Sequence, residues 1–403
     1  MTGQNLMTLI RGGWVILALH FLAAPWLVAQ SAAPVRVVGQ LKSHRVIERE
    51  LKPGQTDEYT VKVKAGQFVR LVVRQMGVDV AVTVLDPLGK TVLEADRTNG
   101  AFGPEAASFI GESAGEYRVR VSSGSESTGR YRMESLDTRQ PTEADRSRIE
   151  AETAEFQAAR EAAAGAREAK LRSIELFERA ASLWRRLRDA YEEGLCLNMI
   201  GILSNALGEQ QKALDYHRQA LLLFRAAHDR GGEAGALNNI ARVYSDLGEN
   251  QKALDYYGQA LSLYRAAGDR SDEAIALTNI GAVYSALGEK QKALDYYGQA
   301  LPMSRAAGDR FLESTILNNI AVVYEALGER QKALEYFGQA LPLARAVGDQ
   351  SGEANTLSNI GAVYDALGEK QKALDYYGQA LPLRRVVGDR SGEAITLSNM
   401  GRV

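Results

Sequence analysis

Ala286-Leu-Gly-Glu-Lys-Gln-Lys-Ala-Leu-Asp-Tyr296 is one of five near-copies of the same eleven residues. The others start at Ala206, Asp246, Ala326 and Ala366, so the interval is always 40 residues. A fixed period of this size marks a solenoid, in which each unit buries its apolar face against its neighbours. Five full units run 191–230, 231–270, 271–310, 311–350 and 351–390, and residues 391–403 begin a sixth.

Each unit reads as two helices. In the third, Leu277, Ile280, Gly281 and Tyr284 fall at i, i+3, i+4 and i+7, one face of a helix. Leu287-Gly288 closes that helix, because glycine takes the left-handed conformation at a C-terminus. Glu289 opens the second helix, on which Ala293, Tyr297 and Ala300 recur at helical spacing. Gly308 ends it, and Asp309 is the expected N-cap of the next unit.

Leu277, Ile280, Gly281, Tyr284, Ala293, Tyr297 and Ala300 resemble the tetratricopeptide pattern, and units two, four and five fill the equivalent positions. The first unit departs from it, with Ser204 and His217 in place of tyrosines. The long unit resembles those of kinesin light chains and Pins-type adaptors. That resemblance implies an all-α superhelical solenoid with a concave groove lined by first helices. Residues 138–190 read as a helical connector and degenerate first repeat, with Arg146 to Lys170 helical and Ser173, Phe177 and Ala180 in phase with the second helices.

On the groove, four units place asparagine at one spot: Asn239, Asn279, Asn319 and Asn359. Asn198, Asn238 and Asn318 are adjacent amides, and Arg242 shares the stripe. A carboxamide donates and accepts, so such a ladder suits the backbone of an extended peptide. The resemblance to kinesin light chain repeats implies the same use. Two other origins stay open: recent duplication, since Ser285–Leu301 and Asp365–Leu381 differ only at their first position, and packing between adjacent first helices.

Residues 35–137 change to period two. Tyr59–Val63, Phe68–Val73, Val78–Leu85, Thr91–Leu93, Gly115–Val121 and Tyr131–Met133 are short β-rich runs bounded by turns such as Asp86-Pro-Leu-Gly89. They predict an antiparallel, jelly-roll-like β-sandwich. Glu58-Tyr59, Ala65-Gly66-Gln67, Val84–Gly89 and Ala114–Tyr117 resemble the bacterial pre-peptidase C-terminal (PPC) domain, which implies an accessory role in an exported protein. Asp79, Asp86 and Asp96 stand where calcium ligands would, but aspartate is first of all a turn residue. No metal or cofactor is expected.

Ahead of the sandwich, Arg11, the apolar run Trp14–Val28 and the small residue Ala29, or alternatively Ala33, read as a signal peptide over residues 1–29. The location expected is extracytoplasmic, periplasmic or secreted, with membrane attachment only if the segment stays uncleaved.

The 403 residues allow about two to four domains. A net charge of −2, from 48 Lys and Arg against 50 Asp and Glu, argues against nucleic acid as a partner. One cysteine, Cys196, excludes an intrachain disulfide, and only four histidines occur. Cys196 sits among Met199 and Ile200 and reads as core. No phosphate loop, nucleophile elbow or paired-carboxylate motif is present. The expectation is a noncatalytic, exported scaffold whose partner is protein or peptide. The alternative is the recognition part of a longer protein ending in a CHAT domain, a caspase-like peptidase fold, because signal, PPC-like sandwich and long repeats resemble the front half of such bacterial proteins. In residues 391–403, Leu397 and Met400 lack a covering second helix, so fraying after about Gly392 and self-association through that end are expected.

Overall fold

The computed structural model describes residues 35–42, 46–76, 78–95, 102–123 and 128–403. The signal-peptide reading, residues 1–29, and Asp96 lie outside them. Two compact units are formed, one ending at His228 and one spanning Asp229–Val403.

Among the described residues the first unit opens with nine strands: β1 (Val35–Gln40), β2 (Ile47–Leu51), β3 (Thr56–Val63), β4 (Phe68–Met76), β5 (Val80–Leu85), β6 (Thr91–Ala95), β7 (Phe102–Ile110), β8 (Gly115–Ser123) and β9 (Gly129–Arg139). They make two sheets, ordered β1-β3-β8-β5-β6 and β2-β9-β4-β7. Alternate residues of the strands point inward, and Val61, Leu71, Val82, Val119 and Met133 are among the buried side chains between them. One pairing departs from the antiparallel expectation: β1 runs parallel to β3. The chain visits the other sheet as β2 in between, which frees the two strands to run the same way.

A polar knot lies in the sandwich. Asp57 has no exposed surface and accepts from Arg36 Nε at 2.6 Å, Arg49 Nε at 2.9 Å and the Tyr131 hydroxyl at 2.7 Å. Burial pushes its pKa up, but these donors outweigh it and hold the carboxyl below its ordinary value. At the sheet edge, β7 contains Pro104, which an edge strand tolerates. The Ser108 amide and hydroxyl both donate to the carboxylate of Glu152, each at 3.1 Å.

Glu152 belongs to α1 (Glu143–Ala163), which opens with a capping box between Thr142 and Asp145. The stretch read as one helix from Arg146 to Lys170 breaks at Gly165, whose φ is +73°, and α2 (Arg167–Leu187) follows. The two helices pack together, and Ser173 donates to the Ala158 carbonyl at 2.7 Å. α3 (Ala190–Ala206) and α4 (Gln210–Ala226) complete this unit.

The second unit is four helix pairs and a further helix. The pairs are α5 (Arg230–Asp246) with α6 (Asn250–Ala267), α7 (Arg270–Ala286) with α8 (Lys290–Ala307), α9 (Arg310–Ala326) with α10 (Arg330–Ala346), and α11 (Gln350–Ala366) with α12 (Lys370–Val386). α13 (Arg390–Arg402) follows. Asp229, Asp269, Asp309, Asp349 and Asp389 each cap the helix that follows, as Asp309 was expected to. Such a cap contributes about 1 kcal/mol.

The same contacts recur at every step. Gly281 and Gly361 lie under the rings of Tyr297 and Tyr377, where a Cβ would come within 2.7 and 2.8 Å of a ring carbon. Tyr284 stacks on Tyr296 at 5.4 Å between centroids, with Lys292 over the Tyr284 ring, and three further copies repeat this. Arg265–Glu273, Arg305–Glu313, Arg345–Glu353 and Arg385–Glu393 join each second helix to the next first helix at 2.6–2.8 Å.

α13 is helical to Arg402. Asp389 accepts from the Gly392 amide at 2.9 Å and Thr396 is fully buried, so the helix is held from its start. Leu397 is exposed.

Candidate functional site

The first helices α5, α7, α9 and α11 carry the asparagine row, and all four rungs lie in the second compact unit. Asn239 and Asn279 are 9% and 7% exposed, whereas Asn319 and Asn359 are half-buried. Each stands three residues after a buried side chain of its own helix, Ala236, Ala276, Ile316 or Thr356, so the core sets its direction.

The row is partly closed on itself. Asn279 donates from Nδ2 to Asn238 Oδ1 at 3.3 Å, and Asn359 donates to Asn318 Oδ1 at 3.3 Å. Thr356 adds a second donor to Asn318 at 3.2 Å. These bonds alternate because Asn238 and Asn318 alternate with Thr278 and Ser358. Thr278 turns its hydroxyl back to the Ala274 carbonyl at 2.7 Å. Among the described residues Asn319 makes no side-chain hydrogen bond, and it is half-buried.

Asn198 belongs to the first compact unit, where its Oδ1 lies 2.7 Å from His217 Nδ1 and accepts from that ring N–H. His217 is fully buried over Gly201, whose Cβ would meet the ring at 2.6 Å. The histidine thus replaces the usual aromatic residue and brings its own acceptor with it. The departure at His217 was visible in sequence, but its pairing with Asn198 depends on how α3 and α4 dock.

Arg242, one turn beyond Asn239 on α5, is 9% exposed. Burial pushes its pKa down from the ordinary arginine value, with Tyr257 and Asp246 opposing. Sequence reasoning missed a second buried guanidinium. Arg384 on α12 donates to Asp389 at 2.5 Å, Asn355 at 3.1 Å and Ser358 at 3.2 Å, where other second helices place Tyr264, Ser304 or Ala344.

The remaining candidates have structural uses. Cys196 is buried and donates to Glu155 at 3.0 Å, and Trp184 donates to the same oxygen at 2.5 Å. Asp86 accepts from the Leu88 and Lys90 amides at 2.9 and 2.8 Å, as a turn aspartate does. Among the described residues no group of three or more His, Cys, Asp or Glu is placed to hold a metal ion, and no helix is long and apolar enough to cross a membrane.

The tetratricopeptide repeat profile matches residues 232–306 and 312–385. No curated protein matches the chain in sequence. Among solved structures, NprR in complex with its cognate peptide NprX is similar over 64% of this chain and 72% of its own, at 16% identity and a TM-score of 0.50. A Rap protein complexed with competence and sporulation factor covers 63% and 74%, at 16% identity and 0.49. BtubC (BKLC) from P. vanneervenii covers 58% and 92%, at 22% identity and 0.46. At these identities the likeness is one of fold. The paired helices, their 40-residue phase and the matching profile agree: a β-sheet region here precedes a solenoid of tetratricopeptide repeats.

Proposed function

We propose that this protein is a noncatalytic scaffold that binds protein or extended peptide along the asparagine row of residues 229–403. The observation that carries it is the unpartnered amide of Asn319, set in a row of amides that repeats every 40 residues. A carboxamide with both its donor and acceptor available can bridge a passing peptide backbone whatever the side chains. The solved NprR structure contains a cognate peptide, and its fold resembles this one. Packing between helices accounts for Asn279 and Asn359 in part, but not for Asn319. Isothermal titration of partners captured on the full chain tests this: Asn319→Ala should weaken binding and leave the melting temperature unchanged. Unchanged affinity would refute the groove.

Export belongs to the same proposal. Arg11, the apolar run to Val28 and Ala29 support a cleaved leader, and the sandwich, PPC-like in its turn motifs, supports an extracytoplasmic setting in a bacterium. Mass spectrometry of the native N-terminus decides it; an intact Met1 on protein recovered from the cytoplasm would end the reading.

A further inference from the structure

Two arginines of the first compact unit lie within electrostatic reach of one another and lack hydrogen-bond acceptors. Arg70 is on β4, where Val69 and Leu71 enter the sandwich core, so it stands on the opposite face of that sheet, beside Ser108 of β7. Arg148 is one turn before Glu152 on α1. Among the described residues Arg70 makes no hydrogen bond and no ion pair, and its Nε is buried. Arg148 has a buried Nη1 without a hydrogen bond. Its guanidinium lies over the Trp184 ring, 5.1 Å from the centroid, and its ion pair with Asp189 Oδ2 spans 3.6 Å.

The acids around them have other duties. Glu152 accepts from the Ser108 amide and hydroxyl. Asp137, the neighbour of Arg70 on β9, accepts from Arg139 at 2.9 Å. Asp189 caps α3. Burial and the charge of Arg148 push the pKa of Arg70 down, and Glu152, Glu192 and Asp189 oppose this without cancelling it. Arg384 shows the satisfied case, with three side-chain acceptors around its guanidinium. Like charges kept close and partly out of water are unfavourable until a counter-charge joins them.

Both arginine side chains stay partly exposed, so a solute can reach them. A carboxylate has two oxygens, and a single guanidinium fork uses both. A phosphoryl group has three or four oxygens and about −1.5 to −2 charge at pH 7, enough for two forks at once. We propose that Arg70 and Arg148 form a binding site for a phosphate-class oxyanion, between the sandwich and α1. The site uses no residue of the amide row and stands whether or not that row binds peptide. The oxyanion is inorganic phosphate or the phosphoryl group of a monoester; both present the same oxygens.

Isothermal titration of the full chain with sodium phosphate tests this, with sodium chloride at matched ionic strength as the control. Phosphate should bind and chloride should not. Arg70→Gln and Arg148→Gln should each weaken phosphate binding about tenfold or more, in line with loss of a charged hydrogen bond. Arg70→Gln removes no intramolecular hydrogen bond or ion pair among the described residues, so it should fold as the wild type does. Phenyl phosphate titrated in parallel separates the sources: tighter binding than inorganic phosphate assigns the site to a monoester, and weaker binding assigns it to the free ion. Equal heats for phosphate and chloride, or unchanged phosphate affinity in R70Q, would overturn the site. If either variant loses helix content, hydrogen exchange of the wild type gives the decision: phosphate should slow exchange in β4 and α1, and no change there would overturn the site.

Discussion

Asn279 Nδ2 reaches Asn238 Oδ1 across 3.3 Å, so one rung of the amide row is bonded between adjacent repeats. The same bond is made by Asn359 to Asn318, and it is missing at Asn319. Amides that look equivalent in sequence therefore have different duties.

Single alanine substitutions should separate those duties. Asn279→Ala leaves the Asn238 oxygen short of a donor and should destabilise the solenoid by about 1 kcal/mol. Asn319→Ala removes no intramolecular bond and should change stability by less than about 0.5 kcal/mol. Thermal unfolding of the two variants checks this; equal losses would mean that Asn319 is also a packing residue.

Arg384 should behave as a local clamp. It joins Asn355 and Ser358 of α11 to Asp389, the cap of α13. Arg384→Ala leaves the Asp389 carboxylate with one partner fewer and empties a buried site, a loss of about 3 kcal/mol. Because repeats contact only their neighbours, hydrogen exchange should accelerate in α11–α13 and stay unchanged in α5–α8. Uniform acceleration would show that the unit unfolds as one.

Acid should loosen the sandwich through Asp57. Its folded pKa lies below the ordinary aspartate value of 3.8, so its stabilisation is present above that value and is lost as pH falls through the folded one. Asp57→Asn should cost about 3 kcal/mol at pH 7, since Arg36 and Arg49 are left facing each other. The gap to wild type should shrink below pH 3.8 in urea unfolding of the full chain. A constant gap would mean that the charge of Asp57 is not what holds the knot.

The solenoid was legible because five copies state one pattern five times, and because Gly and Asp sit at the helix ends where backbone geometry needs them. The strands that alternated cleanly, β3, β4 and β8, were legible too. β7 was not: Phe102-Gly-Pro-Glu-Ala-Ala-Ser-Phe-Ile mixes a proline with small residues, and only its place at a sheet edge, with Glu152 on its backbone, makes it a strand. β1 and β2 were also unread, since mostly exposed strands carry little alternation. The asparagine row was visible, but its alternation of closed and open rungs was not, because it depends on how residues 41 apart meet across an interface. Asn198 was visible as an amide beside the row, but its hydrogen bond with His217 was not, because it depends on how α3 and α4 dock.

Arg242 has a consequence for alignment. Asn239, Asn279, Asn319 and Asn359 recur every 40 residues, so by that position the repeats look interchangeable. A feature present once breaks that degeneracy, as a zero mark does on a ruler. With Arg242 in unit two and small apolar residues at its place in units three to five, the first helices differ in kind, and unit two is marked off from the units that follow it.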